Sequence, residues 1–574
     1  MEMKKILLSM ILLALCLIQA SADTYYFKIR LSDENGNPGN WSSYIPVEAV
    51  PDGNPVDGKQ NYKYPNGLRT LLNGEPVKDE PGVQYTLPKK DNKVDLDRIW
   101  GIVFANEKGR NIGEDVNILE GDEYSAWETI REHIKYLELR EYKCDTYCNS
   151  GYFMDMYKLE ELELPQLGMN VGDGDTHCQY YFANADNLKK IYIYVDQKTD
   201  KVEITDDRVK GKKLLNIVGE YMFSNCYSLS TKYINRLIRD VSVIKDYAFK
   251  VDDGNRDKFS DEVAGHNMAI VIPSSVTKIG SQAFYNRLKV TGLNIQGNGG
   301  LEIGSEAFRG CDELAKITLT QDNNKELRIY KNAFRGCKQL NAFENMDKAK
   351  ITYLETGVFG DCRSMTNDFV NGVLKNYADN GGTKIPAYLF FGCNGQDGHD
   401  GTDANKNVCS FTDLNIPAQF NEIGDGAFAS TGDAKIKVKT ITVNSANAPK
   451  CDQGETDEYA GIKNKEVFDG LDPNITTVIF ANDAEGWNVN ETTGFLTYMN
   501  DGSEFQRLLT KDLNSDHTEY NNVPQQHAIV RLHRTLKEGW NTICLPFGVN
   551  YRYCSKWGDD YKTAHASLKM TPLR

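Results

Sequence analysis

One phenylalanine-centred frame recurs along most of this 574-residue chain, and it restricts the fold more than any other feature. Ile303-Gly-Ser-Glu-Ala-Phe308-Arg-Gly-Cys311-Asp-Glu-Leu314 returns as Ile329-Tyr-Lys-Asn-Ala-Phe334-Arg-Gly-Cys337-Lys-Gln-Leu340. Anchored on the Phe, eleven copies stand at Phe153, Phe182, Phe223, Phe249, Phe284, Phe308, Phe334, Phe359, Phe390, Phe428 and Phe468. The steps between them are 29, 41, 26, 35, 24, 26, 25, 31, 38 and 40, a base of 24 to 26 with insertions. A unit this short cannot close a core alone, so such units must stack on one another.

The side-chain types inside the frame follow from stacking. Eight copies place an aliphatic residue five before the Phe: Val218, Ile244, Ile279, Ile303, Ile329, Leu354, Ile385 and Ile423. Leu314-x-x-Ile317-x-Leu319 ends in the two-residue alternation of a short strand with one face buried. Pro273 and Pro417 end their strands because proline lacks the N–H that a neighbouring strand needs. Cys226, Cys311, Cys337, Cys362 and Cys393 stand three after the Phe. They read as a ladder of small buried hydrophobes, against disulfides or metal ligands. Cys144, Cys148, Cys178, Cys409 and Cys451 fall outside the phase and are better disulfide candidates.

Ile272-Pro273-Ser-Ser-Val276-Thr-Lys-Ile279-Gly280-Ser-Gln-Ala283-Phe284 resembles the repeat of the BspA-like leucine-rich-repeat surface proteins. The resemblance covers about residues 134 to 480. Several copies depart from it: Ala185 takes the Cys place, and the copies at Phe249, Phe359 and Phe468 lack the Pro-x-Ser-Val segment. It implies a mostly β, α+β chain: a leucine-rich-repeat solenoid of about eleven coils, flanked by β-rich segments. It also implies an exported or surface protein of the adhesin kind. Arg534 to Phe547 is similar to a motif near the ends of large extracellular proteins of anaerobic bacteria of the mouth and gut, the typical sources of the family, where it opens a β-sheet module that looks incomplete here.

The expected division is 1–22 signal peptide, 23–133 N-terminal β-rich cap or binding domain, 134–480 solenoid and 481–574 C-terminal β-rich segment. Lys4 and Lys5, the apolar run Ile6 to Ile18 and Ala20-Ser21-Ala22 read as a cleavable export signal, so the chain is expected to be secreted or held at the cell surface. Leu15 before Cys16 argues against a lipoprotein signal. No later segment approaches the ~18 apolar residues of a membrane helix. The formal charge of −15 becomes −16 without Glu2, Lys4 and Lys5, which argues against nucleic acid and anionic membranes as partners.

Catalysis finds little support. The eight His are scattered. Cys144-x-x-x-Cys148 with His177-Cys178 is a poor zinc spacing. Ser275-x-x-Lys278 matches a nucleophile motif but lies inside the repeat turn. Insertions at Asp252–Asp257, Asn394–Asn407 and Asn447–Gly461 are rich in Gly, Asp and Asn. The acidic groups in the first two could meet Ca²⁺, but neither fits the calcium loop, so they read as solvated loops. No cofactor is expected.

The expected function is binding. In each strand the residue between two inward aliphatics points outward. The early copies then show Glu138, Glu163 and Tyr192, flanked by Glu161 and Tyr194. Later copies show Val271, Asn294, Thr318, Asn415 and Thr442. Tyrosine beside charge is the composition of a contact hot spot. The leading reading is an adhesin-like protein that binds a host or cell-surface protein on this face. A glycan-binding surface component is the alternative, supported by 31 Tyr. An enzyme with its site in the N-terminal segment is the third.

Overall fold

A computed structural model describes residues 25–47, 50–51, 62–105, 121–139, 151–165, 169, 179–195, 201–258, 268–297, 299–320, 325–393, 411–430, 438–445, 449–451, 467–468, 477–480, 487–489, 496–498 and 529–532. The export signal, the insertions at 394–407 and 447–461 for the most part, Cys144, Cys148, Cys178, Cys409 and the 534–547 motif lie outside them. The described residues are mostly β with few helices, in two compact units, Met1–Val276 and Thr277–Arg574. No described helix is long and apolar enough to cross a membrane.

In the first unit one sheet runs through both the N-terminal segment and the first repeats. Its strands are β1 (Tyr25–Ser32), β2 (Pro38–Trp41), β3 (Ile45–Val47), β4 (Ile99–Ala105), β5 (Tyr136–Glu138), β6 (Glu161–Glu163), β7 (Lys190–Tyr194) and β8 (Lys201–Glu203). They lie in the order β8-β7-β6-β5-β4-β1-β2, with β3 also on β1. From β4 to β7 the pairing is parallel, and Ile102, Leu137, Leu162 and Ile191 share one register row. All four are fully buried. The expected boundary at 133/134 thus falls between β4 and β5, two strands of one sheet.

Two helices hold the N-terminal segment together. The five-residue α1 (Leu68–Leu72) has no side-chain cap of its own. The buried Glu123 carboxylate, from α2 (Gly121–Arg131), accepts the Leu68 and Arg69 N–H groups at 2.6 and 2.9 Å. A side chain at Gly67 would collide with that carboxylate. Trp127 and Arg131 of α2 donate to the Tyr152 and Gly151 carbonyls at 2.8 and 3.1 Å, which ties α2 to the first phenylalanine turn.

The repeat frame has direct structural counterparts. Phe153, Phe182, Phe223 and Phe249 stack ring on ring in the first unit, with centroids 5.5 to 6.1 Å apart. Phe284, Phe308, Phe334, Phe359, Phe390, Phe428 and Phe468 do so in the second, at 5.1 to 5.9 Å. The irregular copies at Phe249, Phe359 and Phe468 stand in these rows like the others. The aliphatic residues five before the Phe pair with one another: Ile279 with Ile303, Ile303 with Ile329, Ile329 with Leu354, and Ile385 with Ile423. Each regular repeat therefore has a second short strand. The five phased Cys are buried thiols outside any disulfide. Each thiol donates to the carbonyl of the Phe one repeat earlier, as Cys311 does to Phe284 at 3.3 Å and Cys337 to Phe308 at 3.2 Å.

The turns around most of these Phe use left-handed backbone on both sides, although Val251 and Ser430, two after Phe249 and Phe428, do not. Two residues after it stand Asp155, Asn184, Asn225, Asn286 and Asp361 or a glycine such as Gly310, Gly336 and Gly392, all at positive φ. Asn, Asp and Gly reach this region at least cost.

Two repeats replace a strand by a helix. These are α3 (Thr231–Ile238) in the first unit and α4 (Asn367–Asp379) in the second. Tyr233-Ile234-Asn235-x-Leu237-Ile238 matches Phe369-Val370-Asn371-x-Val373-Leu374. The apolar members are buried, and each Asn imitates a strand. Asn235 donates to Ala269 and accepts from Val271 on β9 (Met268–Ile272), both at 2.9 Å. Asn371 does the same to Asp413 and Asn415, both at 2.8 Å.

Candidate functional site

The outward face of β5 to β8 joins the early candidate residues. Strand register sets Tyr136, Glu161 and Lys190 in one row, Glu138, Glu163, Tyr192 and Glu203 in the next, and Tyr194 beside Lys201. Three tyrosine hydroxyls each meet a carboxylate. Tyr136 donates to Glu163 at 2.5 Å, Tyr233 of α3 donates to Glu203 at 2.8 Å, and Tyr192 bonds Glu161. Lys201 crosses the face. Its ammonium lies 4.3 Å from the Tyr136 ring centroid and 4.6 Å from that of Tyr192. It donates to the Tyr136 hydroxyl at 2.9 Å and stands 3.8 Å from Glu163. Trp100 stacks on Tyr136 at 5.2 Å, and Trp41 packs beside it at 5.8 Å. Gly101 makes room, since a side chain there would strike Trp41.

This geometry corrects part of the expectation. Glu163 is 0% exposed and Tyr194 6% exposed, so neither is offered to solvent. Tyr136 and Lys201 meet the Glu163 carboxylate, and the two tryptophans pack on Tyr136. Strand β8 doubles back along β7, and Lys212 bonds the Tyr194 carbonyl. Tyr194 therefore belongs to the packed interior, and a Tyr192/Tyr194 double alanine variant would damage it. Glu138, Glu161 and Tyr192 are half-buried.

Asn294 and Thr318 belong to a different sheet, in the second unit. They are half-buried register partners on β10 (Val290–Ile295) and β11 (Lys316–Leu319). Thr318 donates to Glu344 at 2.9 Å.

Burial, the charges of Glu161 and Glu203, and the bond to Glu161 push the Tyr192 phenol up to about 12. A phenol raised in the folded state supports folding fully below its unfolded pKa of ~10. That support is lost as pH rises through about 12. In alkaline titration, the phenolate step missing from Tyr192→Phe should lie near the upper value. A missing step near the ordinary value would contradict this environment.

Asp253-x-Asn255-x-Asp257 lies in a short 3-10 helix, Asp253–Lys258. Among the described residues no three His, Cys, Asp or Glu side chains converge as a metal site. The residues that order the face but escaped the sequence pattern are Trp41, Trp100, Tyr136, Lys201 and Tyr233. Only Tyr136 carried a local signal, since it lies two before Glu138 on one strand face.

No curated protein matches the chain in sequence. A family model does: the BspA type leucine rich repeat region matches in six copies, over residues 146–253, 202–267, 264–395 and 401–448. These spans cover more than half of the chain and contain every phenylalanine of the two rows except Phe468. The chain belongs to the BspA-type leucine-rich-repeat family.

Proposed function

We propose that this chain is an exported, adhesin-like surface protein that binds a macromolecule, in the first place a host or cell-surface protein, rather than an enzyme. Its repeats stack as a solenoid of about eleven coils. Residues 23–133 cap one end, and 481–574 form a further β-rich segment. Membership of the BspA-type family supports the surface-protein reading.

The observation that carries the binding site is the β5–β8 face, where three Tyr–Glu pairs and Lys201 hold one another. Side chains already fixed in place lose little entropy on binding. Aromatic groups beside charges make strong anchors. Glu138, Glu161 and Tyr192 are the contact residues on this face, and Asn294 and Thr318 form a secondary patch. The half-buried Trp41 and Trp100 nearby favour a glycan as the second reading.

The test is a pull-down and a glycan array with the mature chain, followed by Tyr192→Ala. Affinity for the captured ligand should fall at least tenfold, about 1.4 kcal/mol, with unchanged circular dichroism. A fall under about threefold would remove this face from the proposal. Capture of glycans and no protein would put the glycan reading first.

A further inference from the structure

The turns that hold the phenylalanines carry a second row of rings in the first unit, away from the β5–β8 face. Tyr180, Tyr221 and Tyr247 each stand two residues before the Phe. Their centroids are 4.3 Å apart in both pairs, with planes 11° and 12° from parallel. Their φ angles are 57°, 53° and 58°. Gly151, Gln282, Glu306, Asn332, Gly357, Tyr388 and Gly426 hold this place in other repeats, also at positive φ, and Tyr388 is buried. Tyr388 shows that an aromatic residue on this left-handed backbone can serve packing alone, so the first-unit row is set apart by its stacked rings and by the exposure of Tyr180.

The row has two different ends. The rungs Gly151 N–H to Gln179, Tyr180 N–H to Glu220 and Tyr221 N–H to Asp246 show that the repeat before Tyr180 places Gly151 in line with the rings. Glycine supplies no ring, although Met154 folds over it. Tyr180 therefore ends the row, 37% exposed, with one face stacked on Tyr221. At the far end the Lys250 ammonium lies 5.3 Å over the Tyr247 ring, so the molecule places its own cation there. Beside the rings run Gln179, Glu220 and Asp246, with Gln179 donating to Glu220 at 2.8 Å. Burial, then the neighbouring tyrosines and Glu220, hold the Tyr221 phenol well above its ordinary range, so that central phenol stays neutral.

We propose that the Tyr180 ring face, with Glu220 beside it, is a docking point for an arginine side chain on a basic segment of a partner protein. A ring face attracts a cation, and a planar guanidinium can stack on it while pairing with a carboxylate. The formal charge of −15 favours a basic partner over a neutral one. A linear glycan would want several open ring faces, and here the rings cover each other. This site is independent of the β5–β8 face.

The experiment uses the mature chain and labelled hexa-arginine and hexa-lysine peptides in ~0.15 M salt, read by fluorescence anisotropy. Wild type should bind the arginine peptide about three- to fivefold more tightly than the lysine peptide. Tyr180→Asn should bring that ratio near one. Asn332 shows that asparagine accepts the position, at φ 56°. Tyr180→Gly, which copies the residue at Gly151, is the second variant should the first unfold. Tyr192→Ala should leave the ratio unchanged, which separates this site from the sheet face. Equal affinity for both peptides in wild type, or a ratio that survives in the folded Tyr180 variants, would overturn the proposal.

Discussion

Phe308→Ala should cost the second unit about 3–5 kcal/mol, the range for removing a fully buried ring whose surroundings cannot close in. The ring is 0% exposed and lies 5.1 Å from Phe284 and 5.5 Å from Phe334, within 6° and 4° of parallel. Collapse is blocked because the backbones of adjacent repeats already touch. A Cβ at Gly304 would stand 2.7 Å from the Gly280 backbone. The Phe308 N–H is fixed to the Ala333 carbonyl at 2.8 Å, and the Phe308 carbonyl accepts the Cys337 thiol at 3.2 Å. The rungs would hold the repeats apart around an empty layer. Phe308→Leu should restore most of the loss. Urea unfolding of the mature chain, with hydrogen exchange over residues 277–393 to assign the transition to this unit, measures both. A Phe308→Ala cost under about 1 kcal/mol would mean that the ring row is not the core of this unit.

The parts of the fold that were legible in the sequence are those fixed by one buried side chain at one spacing. Phe308, Ile303 and Cys311 occupy positions where only size and polarity matter, so their recurrence marks the layer. The second strand of each repeat followed from the same aliphatic residue once its pairing was known. Helices α3 and α4 were not legible because they keep the apolar spacing of a repeat while changing its period. The Φ-Φ-Asn-x-Φ-Φ string they share became informative only when Asn235 and Asn371 were seen on strand edges. Asn and Asp two after the Phe were a readable signal for left-handed backbone. Tyr180, Tyr221 and Tyr247 were not, since tyrosine is a poor choice for that region.

For the candidate site, the alternation identified which residues share a face but not which of them solvent reaches. The strand pattern placed Glu138, Glu161, Glu163, Tyr192 and Tyr194 together, and register sets Glu138, Glu161, Glu163 and Tyr192 in adjacent rows. The Glu163 carboxylate is met by Tyr136 and Lys201, with Trp41 and Trp100 packed on Tyr136, all from other strands distant in sequence. No local pattern encodes such a cover.

Lys201→Ala should destabilise the first unit by about 2–3 kcal/mol, because it leaves the Glu163 carboxylate buried without its cation. A carboxylate at 0% exposure keeps few routes to water. The Tyr136 hydroxyl at 2.5 Å would remain, but Lys201 also fixes that hydroxyl at 2.9 Å and lies over two rings. The Lys201 side chain is 34% exposed, so water can fill part of its place, and the loss should fall short of the full buried-pair range. Glu163→Leu alone would remove the acceptor of the Tyr136 hydroxyl and leave Lys201 among rings. Lys201→Met with Glu163→Leu would remove both charges and keep the volume. That double variant should lie closer to wild type than Lys201→Ala does. A double-mutant cycle read by urea unfolding measures the coupling, expected above about 1 kcal/mol. If Lys201→Ala cost less than about 0.5 kcal/mol, Lys201 would be an ordinary surface cation. The cover over Glu163 would then open in solution, and the carboxylate would rejoin Glu161 and Tyr192 as a group that a ligand can reach.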